Sequence, residues 1–206
     1  MLKGLKNSIY VFLLIAMGCS SSINSEKELL KWLGDPDHGF IKKTKANGFL
    51  LSMKYLPAEY LALNEMKKDN KTDMKDFQGY VDKFKNSKTF LLTISHDEET
   101  VNVSNYNVAN LSEYGQRIRD LSFNIKEVLV LKTNSGKKYN PVLTTMENAY
   151  EIANKKSIYM VFSDDQKEIL NSEQLDIVFQ DTFLDTGISH FVFENEKINN
   201  LPNLNF

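Results

Sequence analysis

The stretch Phe40-Ile-Lys-Lys-Thr-Lys-Ala-Asn47-Gly48-Phe-Leu-Leu-Ser-Met-Lys-Tyr55 carries the clearest local folding signal in the chain. Asn47-Gly48 is typical of a two-residue type I′ hairpin turn, because both turn positions require positive φ. Pairing the flanking residues across this turn gives Ala46–Phe49, Thr44–Leu51, Lys42–Met53 and Phe40–Tyr55. The sequence therefore predicts a β-hairpin with these pairs on one mostly apolar face.

The opposite face of this predicted hairpin is polar. It carries Lys43, Lys45, Ser52 and Lys54. An antiparallel hairpin with one apolar and one polar face is expected to have one solvated side. Contact of these lysines with anionic lipid headgroups is the alternative interpretation.

Helices are predicted on both sides of the hairpin. Ser25 and Glu28 form a capping box ahead of a short helix that ends at Gly34, with Trp32 packing it onto the domain. Pro57 opens a helix over 58–66, and a second helix ends near residue 85. Apolar residues recur at helical spacing in this second helix: Met74, Phe77, Val81 and Phe84. Asn110 and Glu113 cap a further helix, whose predicted apolar face contains Leu111, Tyr114, Ile118 and Leu121.

Strands dominate the second half of the chain. β-rich runs lie at 90–94, 128–131, 139–145, 158–162, 175–179 and 190–193, and Asn134-Ser-Gly136 suits a hairpin turn. Helices and strands are mixed without regular βαβ alternation. The predicted fold class is α+β, with a mixed, largely antiparallel sheet, a few packing helices and a β-rich C-terminal half. An alternative domain organisation is a separate β-rich subdomain that begins at about residue 126.

The N-terminal segment differs from the rest of the chain. Lys3 and Lys6 precede an uncharged, largely apolar run over 9–18. This run is too short to span a bilayer and has the proportions of a signal-peptide core. The residues Ala16-Met17-Gly18-Cys19 resemble the lipobox of bacterial lipoproteins. An ordinary secretory signal that ends near a cysteine is the alternative.

The resemblance to lipoproteins implies cleavage before Cys19 and acylation of Cys19, the one cysteine in the chain. Residues 1–18 would then be the signal peptide, 19–24 a polar tether, and 25–206 a single globular domain. By resemblance to enteric lipoproteins, Ser20 after the cysteine favours the outer membrane of the bacterial envelope. The first acidic residue behind Cys19 is Glu26, whereas surface-exported lipoproteins carry acidic residues closer to the cysteine. This difference favours a periplasm-facing domain.

Composition limits the classes of function. The formal net charge is −2 at pH 7, and the charges are interspersed without a basic stripe, so nucleic-acid binding is not expected. Hydrophobic residues make up 42% of the chain and aromatic residues 11%, which is sufficient for a packed core.

The histidines give little evidence for catalysis. His38, His96 and His190 are far apart in sequence and have no recognised metal-ligand spacing. The run from His96 through Asp97, Glu98 and Glu99 is the densest imidazole–carboxylate cluster, and its functional interpretation is a metal or general-base role. A solvated turn after a strand is the simpler interpretation.

Carboxylates in loops are the other candidates for chemistry. Asp35 and Asp37, with Gly39 behind them, are similar to the start of a calcium loop, but the rest of the EF-hand pattern is missing. Asp164-Asp165 and the pair Asp181 and Asp185 flank predicted strands. Nucleophile-elbow, phosphate-loop, dinucleotide and zinc-protease motifs are absent from the sequence. We therefore predict no catalytic, cofactor-binding or metal-ligating residue.

Three functional hypotheses follow. The first is a non-catalytic envelope lipoprotein, anchored in the bilayer through acylated Cys19, that serves as an accessory or protein-binding module beside an envelope protein partner. The second is a membrane-anchored hydrolase of an envelope polymer or peptide. It requires a cleft where some of the following residues converge: His96, Asp97, Glu98, His190 and Asp185. The third is a small-ligand-binding lipoprotein, which requires a cavity.

Overall fold

The computed structural model describes residues 22–147 and 153–205. The lipobox-like residues 16–19 lie outside the described residues. The described helices are α1 (Glu26–Leu33), α2 (Ala58–Lys68), α3 (Phe77–Phe84), α4 (Leu111–Arg119), α5 (Glu168–Asn171) and α6 (Asn195–Asn199). The described strands are β1 (Ile41–Ala46), β2 (Phe49–Leu56), β3 (Lys88–His96), β4 (Leu129–Thr133), β5 (Lys138–Tyr139), β6 (Leu143–Met146), β7 (Lys156–Phe162), β8 (Gln174–Gln180) and β9 (Ile188–Glu194).

The strands form two sheets. The first has the order β1-β2-β3-β7-β6 and the second the order β5-β4-β8-β9. Helices account for 34% of the described residues and strands for 32%, and both sheets are antiparallel. The predicted α+β class is confirmed. Strands from the C-terminal half are divided between the two sheets, because β7 pairs with β3 of the first sheet.

The hairpin at Asn47-Gly48 has the predicted register. As predicted, Ala46 pairs with Phe49, Thr44 with Leu51 and Lys42 with Met53. The backbone N–H of Tyr55 donates to the Phe40 carbonyl at 2.8 Å, which extends the pairing to the predicted end. Both turn residues have positive φ, 49° at Asn47 and 77° at Gly48.

The two sheets share one core. The Phe90 ring on β3 is fully buried and lies 5.3 Å from the Tyr55 ring and 6.1 Å from the Phe162 ring, between centroids. Its third aromatic neighbour, Phe193 at 5.1 Å, belongs to β9 of the second sheet. The side chains of both sheets therefore interdigitate around Phe90.

The single strand predicted over 139–145 is wrong. The chain leaves the second sheet after β5, which ends at Tyr139, and enters the first sheet at Leu143, where β6 begins. Pro141 lies between them and has no N–H to donate to a neighbouring strand. The proline thus separates two strands that belong to different sheets.

The helix caps are close to the predictions. Ser25 Oγ accepts the Glu28 N–H at 3.2 Å, while the Glu28 carboxylate accepts the N–H of Asn24 rather than that of Ser25. Asn110 Oδ1 accepts the Glu113 N–H at 3.0 Å, as expected of the α4 cap.

The predicted apolar face of α4 is wrong at its N-terminal end. Leu111 is 83% exposed and Tyr114 is 37% exposed. Leu121, on the π-helical turn Asp120–Asn124 that continues α4, is fully buried. Only the C-terminal end of this helical segment contacts the core, and the first turns of α4 extend beyond the edge of the core.

Gly48→Ala is expected to destabilise the protein more than Gly136→Ala. Both glycines have positive φ, which costs other residues about 1–2 kcal/mol. A Cβ at Gly48 would lie 3.1 Å from His96 Nε2, whereas one at Gly136 would have no neighbour within 4 Å. Urea unfolding should show the larger loss for Gly48→Ala. Equal losses would show that the His96 ring moves away freely.

Candidate functional site

His38 has a structural environment between α1 and β1. Its Nδ1 lies 2.8 Å from the Trp32 carbonyl oxygen, and its ring stacks on the Trp32 ring at 4.0 Å. The neighbouring Asp35 carboxylate accepts the Asp37 N–H at 3.0 Å and so caps a short 3-10 turn. These residues tie α1 to the start of the first sheet.

His96 and Asp97 support the tip of the hairpin. The His96 ring makes an edge contact with the Phe49 ring at 5.1 Å, and its Nδ1 accepts the Glu98 N–H at 3.0 Å. The Asp97 carboxylate forms an ion pair with Lys45 at 2.9 Å. An open cleft of about 490 Å³ lies alongside, with Ser95, His96, Asp97 and Glu99 among its lining residues.

His190 has an acidic partner that the sequence did not predict. Its Nδ1 lies 2.8 Å from Asp176 Oδ2, across β8 and β9. The second carboxylate oxygen, Asp176 Oδ1, is buried without a hydrogen-bond partner among the described residues. Alternation along β8 places the Asp176 side chain on the sheet face that does not carry the buried Leu175 and Ile177. Its diagonal contact with His190 depends in addition on the register between β8 and β9.

Two of the loop carboxylates, Asp164 and Asp181, accept hydrogen bonds from backbone N–H groups. Asp181 is buried and accepts hydrogen bonds within its own loop, while Asp185 is exposed with φ of 57°. Asp164 accepts the N–H groups of Glu168 and Ile169 at 2.9 and 2.8 Å. Asp164 therefore organises the start of α5.

The hydrolase hypothesis required several of these groups to converge. Each of the three histidines instead has its own neighbours: Trp32 for His38, Phe49 for His96 and Asp176 for His190. Within the described ranges 22–147 and 153–205, no three His, Cys, Asp or Glu side chains are grouped closely enough to hold a metal ion.

Glu168, the first residue of α5, binds several side chains of β4, β5 and the turn between them. Lys137 Nζ lies 2.6 Å from its carboxylate, Ser135 donates to it, and Thr133 Oγ1 donates at 2.8 Å. These donors, Lys137 first, lower the pKa of Glu168 from 4.5 to about 2. The carboxylate thereby joins α5 to the second sheet.

The lowered pKa of Glu168 predicts an acid-dependent loss of stability. Its ionised form is favoured in the folded state, so this stabilisation is present above pH about 4.5 and is lost as the pH falls towards about 2. We expect Glu168→Gln to flatten the fall in melting temperature over this window. The exposed Glu173→Gln serves as control, and an unchanged slope in Glu168→Gln would contradict the assignment.

The outward side of the second sheet exposes several apolar side chains. We call it the outer face and define it by Val130, Val178, Ile188, His190 and Val192. Ile188 is 62% exposed and Val192 is 38% exposed. A shallow cleft of about 250 Å³ crosses this face, and Glu127, Lys132 and Lys138 lie among the residues at its rim. Asp176, the strand partner of Val192, also lies on this face, so that apolar and polar groups are mixed there, as they are in many protein interfaces.

The predicted tether enters the fold earlier than expected. Ile23 is 4% exposed, its N–H donates to the Asn203 carbonyl at 2.9 Å, and its carbonyl accepts the Asn205 N–H at 2.8 Å. Ile23 and Leu204 thus form a parallel bridge. Cys19 precedes Ile23 by four residues, which span at most about 14 Å.

The described part of the chain contains no helix with the length and apolar character needed to cross a membrane. Comparison with known proteins gives no match to any family model, curated protein or solved structure.

Proposed function

We propose that this protein is a lipid-anchored accessory module of the bacterial cell envelope that binds an envelope protein partner through its outer face. Acylated Cys19 is the anchor, the outer membrane is its site, and the domain faces the periplasm. The observation that carries the proposal is the set of exposed apolar side chains on the outer face, with Ile188 62% exposed.

The attachment point of the tether supports this role. The Ile23–Leu204 bridge follows α6, whose Asn199 Oδ1 accepts a hydrogen bond at 2.6 Å from Lys88 at the start of β3. The tether therefore joins the end of the domain at which β3 starts and β9 finishes. We propose that this end lies towards the bilayer, with the outer face directed sideways along the membrane.

A sideways face suits a partner in the same membrane. The tether between Cys19 and Ile23 is too short to let the domain move far from the bilayer. Such confinement raises the effective concentration of the domain near membrane proteins. A modest interface on the outer face is then sufficient for binding.

The test is a crosslinking pull-down from native membranes. It compares the wild type with two variants, Cys19→Ser, which removes the anchor, and Ile188→Asp, which disrupts the outer face. Leu111→Asp is the matched control for Ile188→Asp. Both the leucine and the isoleucine are exposed, but Leu111 lies on α4 and not on the outer face. We expect one stoichiometric membrane partner that is retained by Leu111→Asp and lost from the other two variants.

Two results would contradict the proposal. Equal recovery of the partner with Ile188→Asp would exclude the outer face as the binding surface. Soluble behaviour of both the wild type and Cys19→Ser would exclude the lipid anchor.

A further inference from the structure

Lys88 is a lysine buried at the first position of β3. It is 4% exposed, and its Nζ donates to Asn199 Oδ1 at 2.6 Å and to Tyr55 Oη at 3.4 Å. The same Nζ lies 4.9 Å from the centroid of the Tyr55 ring. Tyr55 and Asn199 are both uncharged neighbours, since burial also raises the pKa of the Tyr55 hydroxyl.

The ammonium group of Lys88 has no carboxylate within ion-pair distance among the described residues. Glu59 acts on it only at longer range. Buried charges in proteins are normally paired, because removal from water disfavours the charged form. Burial accordingly lowers the pKa of Lys88 to about 8, and Glu59 offsets this only in part. The fold thus buries a cation without a direct ion pair among the described residues.

Lys88 is among the residues that line a cleft of about 270 Å³, which we call the Lys88 cleft. The polar residues of its lining are Tyr55, Glu59, Lys85, Ser87, Lys88 and Asn199. Lys85 adds positive charge to this lining and Glu59 adds negative charge, while Asp82 pairs with Lys85 at 2.9 Å. The volume is several times the ≈ 30 Å³ that one water occupies in the liquid, so a small ligand group fits.

The Lys88 cleft lies at the tether end of the domain. Leu201 is part of its lining and precedes Leu204, the partner of Ile23, by three residues. Three residues span at most about 11 Å. If the anchor is as proposed above, the cleft lies beside the headgroup region of the bilayer.

We propose that the Lys88 cleft binds a phosphate group, for which the Lys88 ammonium is the counterion and Asn199 holds that ammonium in place. Lysine binds phosphate as a point charge, without the planar geometry that arginine requires. The phosphate belongs either to a small phosphate ester or to a phospholipid headgroup. Phosphate binding does not depend on the proposed protein partner. Only the binding of a phospholipid headgroup rests on the proposed lipid anchor at Cys19.

The first experiment measures the melting temperature of the full-length protein in detergent as inorganic phosphate is added at constant ionic strength. We expect a saturable rise for the wild type and for Lys54→Met, which removes a half-buried lysine of β2 outside the cleft. Lys88→Met should abolish the rise. Methionine is apolar and of similar length, so this variant is expected to fold.

A second variant tests the effect of a direct ion pair at Lys88. Asn199→Asp places a carboxylate 2.6 Å from Lys88 Nζ without a change in side-chain shape. We expect it to raise the melting temperature in the absence of phosphate and to abolish the response to phosphate. A wild type without a phosphate response, or an equal response in Lys88→Met, would overturn the proposal.

Protection against thermal unfolding, measured for the wild type and for Lys88→Met, distinguishes the two phosphate sources. Protection by glycerol 3-phosphate in detergent supports a soluble phosphate ester. Protection by phosphatidylglycerol nanodiscs, but not by vesicles of an uncharged galactolipid, supports a headgroup. Lack of protection by both phosphate sources would overturn the site, whereas failure of the lipid anchor would leave the phosphate titration unaffected.

Discussion

Replacement of Phe90 by alanine is expected to lower the free energy of unfolding by about 3–5 kcal/mol. The Phe90 side chain is fully buried and contacts aromatic rings of both sheets: Tyr55, Phe162 and Phe193. Its removal opens a cavity between the sheets that the surrounding strands cannot close completely. Phe123→Ala is the matched control, because Phe123 is 70% exposed and a surface substitution changes stability by about 0.5 kcal/mol at most.

Equilibrium urea unfolding of Phe90→Ala and the wild type also tests whether the sheets form one core. Trp32 is the one tryptophan of the chain, so its fluorescence reports on the region around α1. Far-UV circular dichroism reports on both sheets together. Coincident transitions by the two probes are expected. Separate transitions, or a loss below about 1 kcal/mol for Phe90→Ala, would contradict a shared core.

Asp181→Ala is expected to cost about 3 kcal/mol. The buried Asp181 carboxylate accepts the N–H groups of Phe183 at 2.8 Å, Leu184 at 3.1 Å and Thr186 at 2.8 Å, together with the Thr186 hydroxyl at 2.7 Å. Alanine would leave these backbone donors without partners. The damage should reach the first sheet, since the Leu184 carbonyl accepts a hydrogen bond from Asn47 at 3.3 Å.

The control for Asp181→Ala is Asp185→Asn in the same loop. Asp185 is exposed and has φ of 57°, a conformation that asparagine tolerates. Urea unfolding should show almost no loss for Asp185→Asn. If the two variants were equally stable, the hydrogen bonds of Asp181 would contribute nothing to the loop.

Local signals in the sequence were sufficient for the hairpin and the helix caps. Asn47-Gly48 determines the turn type, and the turn then determines the register of β1 and β2 without help from distant residues. The cap at Asn110 is similarly local, since it joins residues three positions apart. The exposure of Leu111 was not predictable from α4 alone, because it depends on where the core ends.

The second sheet and its pairs depend on contacts between distant segments. The break at Pro141 separates two strands, but the sequence does not tell which sheet each strand joins. Asp176 meets His190 only through the register of β8 and β9. Ile23 and Leu204 come together from opposite ends of the described chain.

The burial of Lys88 has a signal in the sequence, although the predicted strand over 90–94 did not include this residue. Lys88 has the same strand parity as Phe90, Leu92 and Ile94, and all three of these are fully buried. Side chains of equal parity point to the same face of a strand. The position of Lys88 in this alternating pattern therefore indicates that its side chain points inwards, towards the same side as the apolar residues.

The proposed lipid anchor is tested most directly by the intact mass of the protein extracted from bacterial membranes. We expect a mature chain that begins at Cys19 and carries the added mass of its acyl chains. Cys19→Ser should abolish the added mass and leave the membrane fraction. A membrane-free protein with an unmodified Cys19, or a mature chain that begins at another residue, would contradict the account.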